Sequence, residues 1–545
     1  MLSNMNSDAS GEVPVVIVGA GPVGLALAND LSWRGIPTVL IDRRTEPLNF
    51  PTSESIHTRT MEQFRVWGIA EEVRFAGFPP DMPRDVHFAT RVTGYRLGRV
   101  PRASNRLQQE ISSPISPEGP IWCPKFLFES VMRKALAKGG ATQFLFGHEV
   151  VSFDEDETGV TVCVKELATG RDFSLRCRYL AACDGASSGI RKSLDISLQG
   201  TFAEGRNLGI FLRSAQLRSL MQDRAGVMVD IVNPDFSANL SAVDGQDLWR
   251  LIIFMRDGDP GGLDPATCVR QTVGCDIDAE ILDARAWAGH TVVAERFRKG
   301  RAFLLGDAAH LLWPRGGFGM NTGVGDAANL GWKLGAVLKG WGGAGLLDSY
   351  EAERRPVALR NVAEAALNYR SEASLPVSAA IEDAGALGDA QRQALAEAIV
   401  ATRAREWNTM GLQLGFRYDD SPVCWSDGSA VGSNDNAQYV PTTRAGARAP
   451  HAWVRPGVST LDYFGRGFCL VHHGGESTVG FEAAAAGRGI PLSALELEEN
   501  ASAELYERKF VLVRPDGHVA WRSNELPADA GHILDRAAGI NCIGR

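Results

Sequence analysis

Residues 306–334 read GDAAHLLWPRGGFGMNTGVGDAANLGWKL, and the rest of the chain is arranged around this run. Just upstream, residues 302–305 (AFLL) predict a short buried strand, so Gly306 and Asp307 fall at its carboxyl end, where open α/β sheets hold ligands. Residues 323–338 predict a helix. Between strand and helix, Gly316, Gly317 and Gly319 remove side chains, which lets backbone N–H groups come close to a bound molecule. The positive helix end, expected near Asn321, then faces an anion or a group that becomes negative.

A second glycine run lies near the start of the chain. Residues 13–18 (VPVVIV) predict a strand, Gly19, Gly21 and Gly24 follow as G-x-G-x-x-G, residues 25–34 predict a helix, and residues 39–41 a second strand ending at Asp42. In that frame the glycines admit a pyrophosphate to the helix N-terminus and Asp42 bonds a ribose diol, the pattern of a dinucleotide site. The motif alone does not separate FAD from NAD. A third strand end carries Cys183-Asp184-Gly185, with Ser187, Ser188 and Arg191 after it. Asp184 there faces a ligand hydroxyl or cation, or else caps the helix that begins nearby. Its pairing with the Gly306-Asp307 strand end favours the ligand.

The chain of 545 residues has room for several domains. A net charge of -9 and the absence of any Lys/Arg cluster argue against nucleic acid, leaving a small molecule as the expected partner. Nine cysteines are scattered without C-x-x-C or a His at metal spacing, so no metal site and reduced thiols in a cytoplasmic protein are expected. A polar stretch at residues 1–12 and no apolar run of membrane length leave no signal peptide or membrane span to expect.

The other segments supply walls and supports. Residues 59–68 predict a helix with Met61, Phe64 and Trp67 in the core, residues 78–120 loops and short strands, and residues 126–138 a helix. Residues 150–164 and 173–180 alternate as a hairpin about Thr169-Gly170. Residues 208–212, 226–232, 239–243 and 249–255 read as strands of an antiparallel sheet, and alternation puts Arg250, Ile252, Phe254 and Arg256 on one face, the far wall of a pocket. Residues 346–368 and 379–405 read as helices, the first kinked or capped at Pro356. A polar linker follows. Residues 468–471, 510–513 and 519–521 then give strands of a small α/β unit that has no C-x-x-C for thiol chemistry.

Together the Gly19–Gly24 run, the Cys183-Asp184-Gly185 segment with Arg191, the Gly306-Asp307 segment with His310, and residues 347–356 (LDSYEAERRP) resemble the FAD-dependent aromatic hydroxylases, the single-component flavoprotein monooxygenases. The tail at residues 446–451 and 513–522 resembles the thioredoxin-like C-terminal domain of the phenol and dichlorophenol hydroxylase branch. The resemblance implies an α/β fold with α+β elements: a discontinuous Rossmann-like FAD-binding domain (13–200 and 286–405), an antiparallel-sheet substrate domain (201–285, with segments within 78–120), a linker (406–448) and a thioredoxin-like domain (449–545). It also implies bound FAD, with NAD(P)H and O2 as co-substrates, and hydroxylation of a phenolic substrate through a flavin hydroperoxide.

Expected cofactor-binding residues are Gly19, Gly21, Gly24, Asp42, Arg43, Lys125, Asp184, Gly306, Asp307, Gly317, Gly319, Met320 and Asn321. Arg250, Phe254 and Arg256 are expected in the substrate pocket, Pro314 beside the reacting ring edge, and Glu54 and His57 as candidate bases; His310 reads as either structural or functional. A homodimer is expected. The chain departs from the family in having Thr52-Ser53 where Arg-Ala is usual, Lys125 for a frequent Gln, and Asp42 for the commoner Glu. The same FAD motifs also occur in flavin dehydrogenases or oxidases that transfer no oxygen, and a non-catalytic binding protein on this scaffold is the third alternative.

Overall fold

A computed structural model describes residues 12–46, 50–110, 113–221, 226–255, 262–475, 477–498 and 501–540. The apolar run at Val13–Val18 forms the centre of an α/β sheet, paired in parallel with Thr38–Asp42 on one side and Asp172–Ala182 on the other. Thr142–Phe146 extends the first edge and Ala302–Leu304 the second, also in parallel. Helix α1 (Pro22–Trp33) follows the glycine motif, α2 (Thr58–Val66) contributes the buried Met61 and Phe64, and α3 is Lys125–Gly139. These all pack into one core with residues such as Val15, Leu27, Phe303 and Leu330.

The long helix α4 (Phe318–Leu338) begins five residues before the expected start at Gly323. Its glycines look like loop residues in sequence but serve close packing. A Cβ at Gly323 would lie 2.4 Å from Val23 Cγ2, one at Gly331 2.2 Å from Asp30 Oδ2, and one at Gly335 3.0 Å from Arg34 Cδ, so α4 can lie against α1 only because these positions are bare. Helix α5 (Ala344–Ala373) keeps Pro356 inside an unbroken helix rather than ending there, and α6 is Ala386–Trp407.

The second sheet runs in the order His310–Leu311, Glu280–Ala294, Leu198–Arg213, Leu248–Met255, Ser237–Ala242, Met228–Val232, Val86–Ala89 and Arg96–Val100. It is antiparallel throughout except where Met228–Val232 pairs with Val86–Ala89 in parallel. The expected boundaries at 200/201 and 285/286 fall inside two of its strands, and 405/406 falls inside α6. Residues 150–164 form two strands, His148–Glu155 and Val160–Glu166, turned by Asp156, whose carboxylate accepts the N–H of Thr158 and Gly159.

The C-terminal unit has a β-α-β start, Phe468–His473, Val479–Ala486 and Leu492–Leu497 with parallel strands, and an antiparallel pair, Phe510–Val513 and Val519–Ser523, before a last helix at Ala530–Ala537. That is the topology the thioredoxin-like resemblance implies.

Candidate active site

The three strand ends meet at one cavity of about 870 Å3. At its first end Gly19 has φ +102°, a region costly for any side chain, and a Cβ there would lie 2.2 Å from the carbonyl oxygen of Cys183. A Cβ at Gly24 would lie 1.8 Å from the Gly19 oxygen. Gly21, the N-cap of α1, meets nothing within 4 Å and faces open space. The motif therefore has two glycines demanded by the protein's own packing and one bare toward a ligand.

Asp42 ends the second strand. It accepts the Ala20 amide at 2.8 Å and the Arg44 amide at 2.9 Å, and pairs with Arg44 Nε at 3.2 Å. Burial opposes its charge, but these bonds outweigh burial and hold it below the ordinary aspartate range. Arg43 and Lys125 also line the cavity; Lys125 opens α3 and lies 3.7 Å from Glu129. Asp184 Oδ2 accepts the Ile190 amide at 3.2 Å while Oδ1, buried on this wall, has no hydrogen-bond partner. Ser188 is the N-cap of the following short helix and accepts the Arg191 amide, while Asp184 Oδ2 takes the Ile190 amide of the same first turn, so one carboxylate oxygen serves the helix and Oδ1 is left for a ligand.

Gly306 has φ +56° and donates its N–H to Asp326 Oδ2 at 3.2 Å. Asp307 is exposed on the cavity wall, and desolvation by the surrounding walls pushes its pKa up, against the nearby His310 and Lys125. His310 itself is buried, 2.8 Å from Asp326, whose other oxygen accepts from Arg354 Nε at 2.8 Å. The His310–Asp326 bond ties the strand end to the helix Phe318–Leu338.

The turn at Gly316 (φ +87°) and Gly317 (φ +70°) leads directly into α4, with Gly317 as N-cap. The amides of Phe318, Gly319 and Met320 in the first turn have no intrahelical acceptor, and Gly319 has no atom within 4 Å of where a Cβ would sit. Asn321, expected among the cofactor contacts, is not on the cavity wall. With the helix starting earlier, its amide falls within the hydrogen-bonded ladder. Its side chain is spent as a latch, donating to Ser55 O at 3.0 Å and Gly317 O at 2.6 Å and accepting from His57 N at 2.9 Å and Thr60 Oγ1 at 2.7 Å.

His57 is likewise absent from the wall. Its Nε2–H donates to the Gly316 carbonyl at 2.9 Å. Burial drives its pKa down to about 4 against that bond, so it is neutral at pH 7 and supports the turn.

At the far end the sheet forms the opposite wall. Arg250, Ile252 and Phe254 line it on one face, as alternation predicts; Arg256 lies outside the described residues. Glu54 and Arg250 Nη1 form a buried ion pair at 2.9 Å. Burial raises the pKa of Glu54, opposed by Arg250. Pro314 is on the wall beside Trp313, whose ring stacks on Tyr369 at 3.7 Å and occupies a slot that a Cβ at Gly205 or Gly289 would fill. Sequence reasoning missed Trp122, Asn239, Glu406 and Trp407, which belong to no motif, and Arg315, which sits inside the 306–334 run; all five also line the cavity.

Among the described residues no group of three or more His, Cys, Asp or Glu is arranged to hold a metal ion. The open face of Gly21, the unpartnered Asp184 oxygen, the carboxyl of Asp307 and the bare amides at Gly319 and Met320 fit an extended dinucleotide laid along the cavity.

Comparison with known proteins agrees with that geometry. An FAD binding domain model matches residues 12–365, and an aromatic-ring hydroxylase C-terminal model matches residues 442–540. The chain is 32% identical to the aklavinone 12-hydroxylase RdmE of Streptomyces purpurascens, over 96% of this chain and 98% of that one. The rebeccamycin biosynthetic enzyme RebC with reduced flavin superposes with a TM-score of 0.90 at 38% identity, covering 97% of this chain and 99% of that one. Aklavinone-11 hydroxylase, in a ternary complex with FAD and aklavinone, gives 0.82 at 30% identity, covering 98% and 100%. The chain belongs to the FAD-dependent aromatic-ring hydroxylases, a family of flavoprotein monooxygenases.

Proposed function

We propose that the protein hydroxylates a phenolic ring with NAD(P)H and O2 as co-substrates, the substrate lying between the glycine turn and the Arg250–Phe254 wall. The observation that carries this reading is the continuity of one cavity from the G-x-G-x-x-G turn to the buried Glu54–Arg250 pair. The bound flavin would supply hydride acceptance and oxygen activation, which side chains cannot do.

The chain's own residues hold and bias it. Gly19 and Gly24 let the turn close on itself and Gly21 leaves room on it for the pyrophosphate, Asp42 and Arg43 hold the adenosine side, and Asp184, Lys125, Gly306 and Asp307 hold the linking chain. The amides at Gly319 and Met320, at the positive end of α4, favour negative charge on the ring edge nearest them. Pro314 borders that edge, and the aromatic wall excludes water. Glu54 takes the proton of the substrate hydroxyl, since a phenolate is the better nucleophile, and Arg250 keeps the carboxylate available by countering its burial. No helix among the described residues is long and apolar enough to cross a membrane; a cytoplasmic homodimer goes with this reading.

The test is a screen of phenols for stimulated NAD(P)H oxidation under isotopically labelled O2. Label in the product is expected; turnover without label would favour a dehydrogenase or oxidase, and purified protein without flavin bands would favour a binding protein. In the same assay Glu54→Gln should lower hydroxylation about a hundredfold, within the usual range for a lost base. Wild-type activity should rise with pH through a pKa above the ordinary glutamate range, because the base works deprotonated, and Glu54→Gln should lose that limb. An unchanged rate and pH profile would remove Glu54 from the reaction.

A further inference from the structure

The Gly316 peptide is gripped from both sides. His57 holds its carbonyl, and its N–H donates to Glu406 Oε1 at 2.9 Å. Glu406 is the last residue but one of α6, is 4% exposed, and lines the cavity. Its Oε2 lies 2.7 Å from Arg403 Nη2, and the same guanidinium donates to Asp230 Oδ2 at 2.9 Å. Asp230, on the strand Met228–Val232, accepts in turn from Asn239 Nδ2 at 2.6 Å, and Ser241 Oγ donates to Asn239 Oδ1 at 2.8 Å. Arg250 Nη2 reaches Ser241 Oγ at 3.3 Å. An unbroken polar chain thus runs from the Glu54–Arg250 pair, through the sheet, to the amide of the glycine turn.

Burying so many ionised groups is costly unless each is held by its partners. Glycines at Gly316 and Gly317 cannot fix a turn by side-chain packing, and both sit at positive φ. We propose that Glu406 is the positioning residue of this turn: its carboxylate sets the Gly316 amide, and Arg403 and Asp230 anchor it to the substrate-side sheet. The assignment rests on the turn cradling the flavin. It gives α6 a specific task, to tie the substrate wall to the cofactor turn. Asp230 and Arg403 are absent from the cavity wall and reach it through Glu406, with Asp230 also holding Asn239 and lying 3.8 Å from Arg315.

The test uses full-length protein stripped of FAD and titrated back, with melting curves for every variant. Rebinding by the wild type checks the flavin assignment separately. Glu406→Ala should fold and bind FAD about tenfold or more weakly, with shifted visible flavin bands, as expected for loss of a charge-assisted bond. Glu406→Gln keeps an acceptor for the Gly316 amide and should stay within about threefold of wild type. It removes a negative charge beside the turn, so the flavin midpoint potential should rise. Asp230→Asn should weaken binding in the same direction as Glu406→Ala. Wild-type affinity and unshifted bands in Glu406→Ala would overturn the proposal, and so would an unchanged potential in Glu406→Gln. The potential decides the matter even if the alanine variant does not fold.

Discussion

Gly19→Ala is expected to purify without flavin. The backbone at Gly19 has φ +102°, a strain of about 1–3 kcal/mol for a residue with a side chain. The added Cβ would also stand 2.2 Å from Cys183 O, a backbone atom that cannot swing aside. That strand is held by the Cys183 amide donating to Val18 O at 2.8 Å, so relief of the overlap must move either the glycine turn or the Asp184 strand end. Both border the cofactor cavity. The expected loss of FAD affinity is about a hundredfold or more, equivalent to about 2.7 kcal/mol. Gly21→Ala is the instructive contrast. Its φ is -76° and no atom lies near its would-be Cβ, so that variant should melt like the wild type yet bind FAD weakly, because the methyl takes ligand space. Flavin content after purification and titration of the stripped proteins measure both. Wild-type flavin loading in both variants would show that the dinucleotide does not lie on this turn.

Glu353→Ala is expected to cost about 3–5 kcal/mol of stability, the usual result of leaving buried charge without its partner. Glu353, on α5, is fully buried and accepts from Arg514 Nη1 at 2.6 Å and Nη2 at 2.8 Å, from Lys333 Nζ at 2.6 Å and from Asn329 Nδ2 at 2.7 Å. Arg514 comes from the C-terminal unit and also pairs with Asp516 at 2.6 Å. Burial opposes the charge on Glu353, but Arg514 and Lys333 outweigh it and bring its pKa to about 2. A carboxylate whose folded pKa is depressed stabilises above its unfolded value and loses that contribution as pH falls through the folded one. The wild type should therefore weaken between about pH 4.5 and pH 2, and Glu353→Ala should lose part of that dependence. Denaturant unfolding measures the effect; a change below about 1 kcal/mol would mean that the network relaxes around the gap.

Much of the scaffold was legible because its signals are local. The strand, glycine turn and helix at Val13–Trp33, the Gly306-Asp307 strand end, the hairpin at Thr169-Gly170 and the strands at Phe468–His473 and Phe510–Val513 all lie in short windows with clear alternation or turn residues. Leu492–Leu497 escaped notice because its sequence, LSALEL, suits a helix, and only pairing with Phe468–His473 makes it a strand. Glu280–Ala294 carries alanines, a glycine and charges along a partly exposed strand, which blurs its alternation. The start of α4 was misjudged because Gly319 and Gly323 read as breakers when their real constraint is contact with α1 and the cavity. The polar chains were invisible for a different reason. Glu406 meets Gly316 across 90 residues and Glu353 meets Arg514 across 161, and no spacing rule links such pairs. Asn321 shows the converse, since its proximity to the glycine turn suggested a ligand contact and the side chain is instead taken up by four bonds within the protein.

Helix α4 has its first turn at the cavity and, about three and four turns later, Asn329 and Lys333 in the charge network that seats the C-terminal unit. One rigid rod therefore serves two customers at opposite ends. Modular reuse of this chain would run against that arrangement: grafting the C-terminal unit elsewhere would leave Arg514 without Glu353, and transplanting the cofactor half alone would leave Glu353 short of its strongest counterion. Dividing the chain between the two halves would therefore leave buried charge without its partner on both sides of the cut.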